Sequence, residues 1–162
     1  MHIAGKIGSD VPFCLYGHPA RCTGRGEILS PRRLPFPIPA LIVFGGEKMS
    51  TPAAYRLLDE RYRDFTGEAE LADASAPLMD AHLKDGSLEG IAGKMHNTFE
   101  ATVLPFCPAA VETRRRLLSL GAVAAQMSGS GPSIFALFPT EEMAKRAQMA
   151  FGDRAYLTAL LP

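Results

Sequence analysis

Apolar positions change period several times along the chain, and each change marks an element. Ala40–Phe44 is a compact apolar run of strand length that stops at Gly45-Gly46. The next run is helical: Ser50 or Thr51 can cap it, Pro52 falls in its first turn, and Ala54, Leu57, Leu58 and Tyr62 recur on one face. Thr66–Ala76 is acidic and Ala-rich and predicts a loop or a short helical turn. Pro77–Lys84 predicts a short helix ended by Asp85-Gly86. Leu88, Ile91, Met95, Phe99 and Val103 keep to one stripe and predict a single longer helix, with Asn97 and Glu100 off the stripe. Pro105 and Pro108 break that pattern, and Pro108 suits the first turn of another helix. There Val111, Leu117 and Leu118 are expected inward, Arg114-Arg115-Arg116 mostly outward, and Gly121 at the end.

The last third of the chain alternates differently. Ala122–Gln126 and Ser133–Phe138 read as two strands around Met127-Ser128-Gly129-Ser130-Gly131-Pro132. Thr140 caps a helix that turns Met143, Ala147 and Phe151 inward, and Glu141 and Glu142 suit its positive end. Ala155–Leu160 is a final strand. From Ala40 the order is strand, helices, two strands, helix, strand. That order predicts an α+β domain: an antiparallel sheet layered with helices on one face, ferredoxin-like in outline. Ahead of it, Met1–Ile7 reads as the end of a helix running into a glycine turn, Gly8–Pro12 as punctuation and Pro12–Tyr16 as a short strand. Gly17-His18-Pro19 turns that strand into a returning one at Ala20–Thr23. Gly24-Arg25-Gly26-Glu27 follows as a loop, and Pro31–Pro39 as an extended connection carrying Arg32 and Arg33.

Composition narrows the class. The chain has 162 residues, 47% hydrophobic and 21% charged, which suits one domain with a real core. Its formal net charge is zero, so there is no overall basic field for nucleic acid. Cys14, Cys22 and Cys107 form no C-x-x-C pair, and His2, His18, His82 and His96 are scattered, so no metal spacing is present. An odd count of cysteines in such contexts fits a reduced, cytoplasmic compartment better than a disulfide framework. No apolar run approaches a membrane span.

Three stretches carry candidate chemistry. In Ser128-Gly129-Ser130-Gly131, glycines let backbone approach a ligand and serines add hydroxyl donors, which suits a phosphate cradle. A tight turn between strands is the plainer reading of such a motif alone. Gly24-Arg25-Gly26 is likewise a turn first and a site second. Asp10 lies in a turn before Pro12, and Tyr55, one residue beyond Ala54, is first of all a core aromatic.

Taken in series, these stretches resemble the C-terminal half of the 4-diphosphocytidyl-2-C-methyl-D-erythritol kinases, a family of the GHMP small-molecule kinase superfamily. The likeness rests on Gly8-Ser9-Asp10-Val11-Pro12-Phe13, Gly24-Arg25-Gly26-Glu27-Ile28-Leu29, Ser50-Thr51-Pro52-Ala53-Ala54-Tyr55 and Met127-Ser128-Gly129-Ser130-Gly131. Asn97-Thr98-Phe99-Glu100 matches a further Asn-x-apolar-Glu stretch of the family. The resemblance implies transfer of the ATP γ-phosphoryl group, with magnesium, to a hydroxyl of the cytidylyl-methylerythritol intermediate of non-mevalonate isoprenoid synthesis. It implies Asp10 as the catalytic carboxylate, and Thr51 and Tyr55 at the cytidine end, with the Tyr55 ring stacking on the base. Gly24, Arg25 and Gly26 would wall the same pocket. Ser128, Gly129, Ser130 and Gly131 would lie near the phosphates.

The family's other half carries its main ATP-phosphate loop and catalytic lysine, and nothing in these 162 residues matches them. The expectation is therefore one GHMP kinase C-terminal domain over 1–162, with 1–30 the tail of the substrate-side region and the N-terminal ATP-loop domain absent. Alone, the chain is expected to be inactive, to need that half in cis or in trans, and to self-associate as a homodimer or aggregate through its bared apolar surface. A ferredoxin-like small-molecule-binding or regulatory module without catalysis is the rival reading.

Overall fold

The computed structural model describes residues 2–63 and 79–162, without the side chain of His2. The expectation for Thr66–Ala76 lies outside the described residues, as does the start of the helix expected at Pro77–Lys84.

A four-stranded antiparallel sheet organises the molecule. Its strands are β3 (Ile38–Val43), β4 (Ala124–Met127), β5 (Ile134–Leu137) and β6 (Ala155–Leu160), in the spatial order β4-β5-β3-β6. Within the β-α-β-β-α-β sequence, the first strand lies between the third and the last, which is the ferredoxin-like arrangement. The periodicity of two divides β3 cleanly. Leu41 and Val43 point to one side, where they pack with Ala54, Val103, Leu117, Ile134, Ala147 and Phe151. Ile38 and Ala40 point to the other, with Leu34, Ile91, Leu137 and, less buried, Leu83 and Met95. Helices thus cover part of both faces, where the sequence had predicted one. Helix α7 (Pro108–Ser119) and α8 (Glu141–Phe151) serve the first face. The helical residues 79–85 (α4) and α5 (Leu88–Lys94) serve the second.

Local rules account for the helix ends. α3 (Thr51–Tyr62) starts where Ser50 Oγ accepts the Ala53 N–H at 3.3 Å, with Pro52 in the first turn. α8 starts where Thr140 Oγ1 accepts the Met143 N–H at 3.2 Å. Gly121, at φ +94°, follows α7, and the Ala122 N–H closes back onto the Leu117 carbonyl at 3.2 Å.

Several expectations are corrected. Pro12–Tyr16 is not a strand but most of helix α2 (Val11–Tyr16), which follows α1 (His2–Ile7). Asp10 is its N-cap residue, Pro12 lies in its first turn, and Gly17, at φ +71°, ends it by donating to the Phe13 carbonyl at 3.1 Å. An apolar run this short has no period of its own, so its punctuation decides. With no strand at 12–16, Ala20–Thr23 (β1) pairs forward with Ile28–Pro31 (β2), and Gly24–Glu27 is the hairpin turn itself. The stripe from Leu88 to Val103 is two helices, α5 and α6 (Glu100–Val103), broken between Met95 and Phe99. α7 is rotated from its expected setting: Ala110, Thr113 and Leu117 are buried, while Val111 and Leu118 are exposed.

An ion pair ties the end of the β1–β2 hairpin to α4. Arg32 Nε and Nη2 donate to Asp80 Oδ1 and Oδ2 at 2.5 and 2.7 Å, a two-point grip from the end of the hairpin onto α4. The guanidinium holds the Asp80 carboxyl below the usual carboxylate range, by its hydrogen bonds first and its charge second.

Candidate active site: a glycine loop held by the break between α5 and α6

β4 and β5 pair with Gln126 opposite Phe135 and Met127 opposite Ile134, and the glycine loop joins them. The Ser128 N–H donates to the Ser133 carbonyl at 2.8 Å and the Gly131 N–H to the Ser128 carbonyl at 2.9 Å, which closes the loop. Gly129 and Gly131 have φ of +54° and +75°, backbone that side-chain-bearing residues rarely adopt. Their surroundings differ. A Cβ on Gly129 would meet nothing within 4 Å, whereas one on Gly131 would run into the Met127 side chain. The N–H groups of Gly129 and Ser130 find no acceptor among the described residues. Two unengaged donors beside an exposed Ser128 hydroxyl, at an open glycine, are the chemistry that receives a phosphate oxygen.

The loop is held from the break between α5 and α6. Asn97 Nδ2 donates to the carbonyls of Met127 and Gly129 at 2.7 and 2.9 Å. Its Oδ1 accepts the Phe99 N–H at 2.9 Å, an Asx turn that competes with helix and starts α6 anew. Glu100 Oε1 accepts the Met127 N–H at 2.7 Å, and Glu100 Oε2 stands 3.6 Å from Arg114 Nη1. Arg114 Nε also donates to the Ala125 carbonyl at 2.9 Å, so one of the arginines expected to be outward reaches the β4 edge. With its amide in the orientation that satisfies both groups, buried Gln126 accepts from the N–H groups of His96 and Asn97 at 3.2 and 2.9 Å. A groove of about 380 Å³ opens beside this assembly, between Asn97, Gln126, Gly129 and Phe135.

α3 meets the loop from the other side. Thr51 Oγ1 and Ser130 Oγ are 3.3 Å apart. One turn later, Tyr55 stands edge-on to Phe99, with ring centroids 5.0 Å apart and planes at 88°. Core packing does not describe Tyr55, since 52% of it is exposed while its neighbour Ala54 is fully buried. Thr51 and Tyr55 therefore share one surface with Ser128–Gly131.

Asp10 belongs to a second group. Its exposed carboxylate lies by the hairpin turn, where a Cβ placed on Gly26 would come 3.6 Å from Oδ1. Gly24 and Gly26, at φ +70° and +112°, shape that turn. No side-chain hydrogen bond from Asp10 caps α2, which leaves its oxygens clear of that duty. Glu27 is differently placed: its carboxylate accepts the Arg25 N–H at 2.7 Å, and hydrogen bonds from the Glu27 and Arg25 amides lower its pKa. The nearby Cys22 thiol is pushed up, by desolvation first and by the Asp10 charge second. The structure thus brings Asp10 together with Gly24, Arg25 and Gly26, and Thr51 and Tyr55 together with Ser128–Gly131. No hydrogen bond or ion pair joins the two groups among the described residues. A wider concavity, about 700 Å³ beside Arg56, Asp59, Tyr62 and Arg63, holds none of these residues.

Among the described residues no cluster of three or more His, Cys, Asp or Glu could cage a metal ion, and no helix is long and apolar enough to cross a membrane. The open glycine, the unengaged amides and the serines are groups that fit phosphate oxygens.

Comparison with known proteins agrees with this fold. Residues 78–156 match the family model described as GHMP kinases C terminal. The 4-diphosphocytidyl-2-C-methyl-D-erythritol kinase of Synechococcus elongatus is 39% identical over 157 residues, 90% of this chain and 49% of that protein. Its counterpart in Listeria monocytogenes is 36% identical over 89% of this chain and 47% of its own length. The chain spans about half the length of the curated relatives it matches. A solved 4-(cytidine 5'-diphospho)-2C-methyl-D-erythritol kinase superposes with a TM-score of 0.75 at 31% identity, over 99% of this chain and 56% of the other. A homoserine kinase from Cytophaga hutchinsonii, 21% identical, shares the fold with a TM-score of 0.74 over 93% of this chain and 50% of its own. Residues 78–156 of this chain thus carry the C-terminal domain of the GHMP kinases.

Proposed function

We propose that this chain is the C-terminal part of a kinase that phosphorylates 4-diphosphocytidyl-2-C-methyl-D-erythritol with ATP in non-mevalonate isoprenoid synthesis. What carries the reading is the likeness along nearly the whole chain to kinases named for that substrate. Asp10 accepts the proton as the substrate hydroxyl attacks the γ-phosphorus, the bond to the bridging oxygen breaks, and ADP leaves. Magnesium bound with ATP would supply neutralisation of charge on the phosphates that Ser128–Gly131 receive. The free amides and hydroxyls of Ser128–Gly131 receive phosphate oxygens. Thr51 and the exposed Tyr55 ring hold the cytidine end, with Gly24, Arg25 and Gly26 walling the same pocket. The two groups are completed into one site by the N-terminal half of the kinase, in cis or in trans, which supplies the main ATP-phosphate loop. The compartment is the cytoplasm.

The test is complementation. The chain is combined with the N-terminal half of the Synechococcus elongatus relative, as a fusion and as two polypeptides, and ATP turnover is followed. Turnover is expected with the cytidylyl substrate and not with homoserine, and none with the chain alone. Binding of cytidine nucleotides without turnover in any combination would leave a binding module in place of the kinase. Full turnover by the chain alone would remove the need for a second half.

A further inference from the structure

We propose that Asn97 is a positioning residue that joins the two ends of this half-site, shaping the phosphate loop with one end of its amide and setting the Tyr55 support with the other. The inference rests on the kinase reading above for what the site binds, but not for what Asn97 holds.

The argument is one of hydrogen-bond inventory. A side-chain amide has two N–H donors and an oxygen acceptor. At Asn97 both donors are used on the loop, at the Met127 and Gly129 carbonyls. The acceptor is used on the Phe99 N–H. The Gly129 carbonyl shares its peptide with the unengaged Ser130 N–H, so the hold on that carbonyl fixes the direction in which this donor is presented. Phe99 is the ring on which Tyr55 leans. The backbone under Asn97 is fixed in turn, because Gln126 takes its N–H, and Glu100 takes the Met127 N–H beside it. No other described side chain hydrogen-bonds to both the loop backbone and the residue that supports Tyr55.

The amide's two ends can be separated by substitution. Asn97→Asp keeps the acceptor for Phe99 but puts a carboxylate oxygen against the two carbonyls. Asn97→Ala removes both ends. The experiment measures amide hydrogen exchange and thermal unfolding on the chain itself, and kcat and KM on the complemented kinase. With Asn97→Asp, the Ser128 and Gly131 amides should exchange faster by on the order of tenfold, with Phe99 protection kept. In the kinase, kcat should fall by on the order of tenfold or more, as for a small misplacement, while KM for the cytidylyl substrate stays within about twofold. Asn97→Ala should lose Phe99 protection as well and raise that KM.

Three results would overturn the proposal. One is Asn97→Asp with unchanged loop exchange and kcat. Another is loss of loop and Phe99 protection together in both variants, which describes a general prop for the fold. The third is failure of Asn97→Asp to fold, which has the same meaning. If the unsubstituted complemented kinase shows no turnover, the kinase reading fails by itself, and the exchange pattern still decides the role of Asn97.

Discussion

At the scale of single residues, two side chains separate contact from support. The Tyr55 ring is half-exposed and leans on Phe99 by its edge, so removing it should cost ligand before it costs the fold. Stacking on a base is worth about 1–3 kcal/mol, so Tyr55→Ala should weaken cytidine nucleotide binding in the complemented kinase roughly tenfold or more. Tyr55→Phe should be nearly neutral, because the ring carries the contact. Calorimetric titration measures both, and an Ala variant with full affinity and a lowered Tm would return Tyr55 to the core. Asp10 and Glu27 are both carboxylates beside the same hairpin turn, and their surroundings differ. Glu27 is engaged with the amides of its own turn, whereas the Asp10 carboxylate stands exposed beside Gly26. Asp10→Asn in the complemented kinase should therefore lower kcat by on the order of a hundredfold or more with KM little changed. Near-normal turnover would make Asp10 only the residue that precedes a helix.

At the scale of elements, what was legible depended on whether a run was long enough to show its own period. The sheet, α3 and α8 could be read because their apolar spacing is long enough to show a period and the caps of both helices agree with it, whereas α7 was legible as a helix from Pro108 and Gly121 but not in its buried face. Thr140 is such a cap, and Thr140→Ala should cost about 1 kcal/mol of stability, read by denaturant unfolding. Val11–Tyr16 was not legible as a helix, because six residues satisfy either period, and the misreading carried the hairpin pairing with it. The break inside Leu88–Val103 was hidden for another reason. The stripe continues across it, and what divides it is the Asn97 side chain on the Phe99 N–H together with Gln126 on the N–H groups of His96 and Asn97. Of the site, the sequence blocks supplied candidate residues. They could not show that Thr51 reaches Ser130, or that Asn97 and Glu100 hold the loop, since those are contacts between elements distant in sequence. The Arg32–Asp80 grip is another such contact. Asp80 has a lowered pKa in the folded state, so its contribution is present above the unfolded value, roughly 4, and is lost as pH falls through the lowered one. The Tm difference between the parent and Arg32→Ala should shrink as pH drops below about 4. An equal difference at pH 3 and pH 7 would show that the pair does not stabilise the hairpin's attachment.

At the scale of the whole molecule, the first two helices bare apolar side chains. Ile3 and Ile7 on α1 and Leu15 on α2 are 70–75% exposed, a concentration that soluble monomers seldom carry when it is contiguous. Sedimentation of the chain alone is expected to show dimers or larger species, and addition of the N-terminal kinase half to replace them with a one-to-one complex. A clean monomer at high concentration would contradict this. The place of β3 in the sheet also orders the birth of the protein. Ile38–Val43 pairs on one side with Ile134–Leu137 and on the other with Ala155–Leu160. A ribosome adds about 5–20 residues per second, so the central strand waits several seconds for its first neighbour and longer for its second. During that interval its Leu-Ile-Val run is an unpaired template, and the nascent chain depends on what shields that strand. A ribosome stalled before Ala155 should leave a product that is bound by chaperones or lost to proteolysis, whereas one stalled on a linker added after Pro162, long enough to carry the last strand out of the exit tunnel, should hold a folded domain.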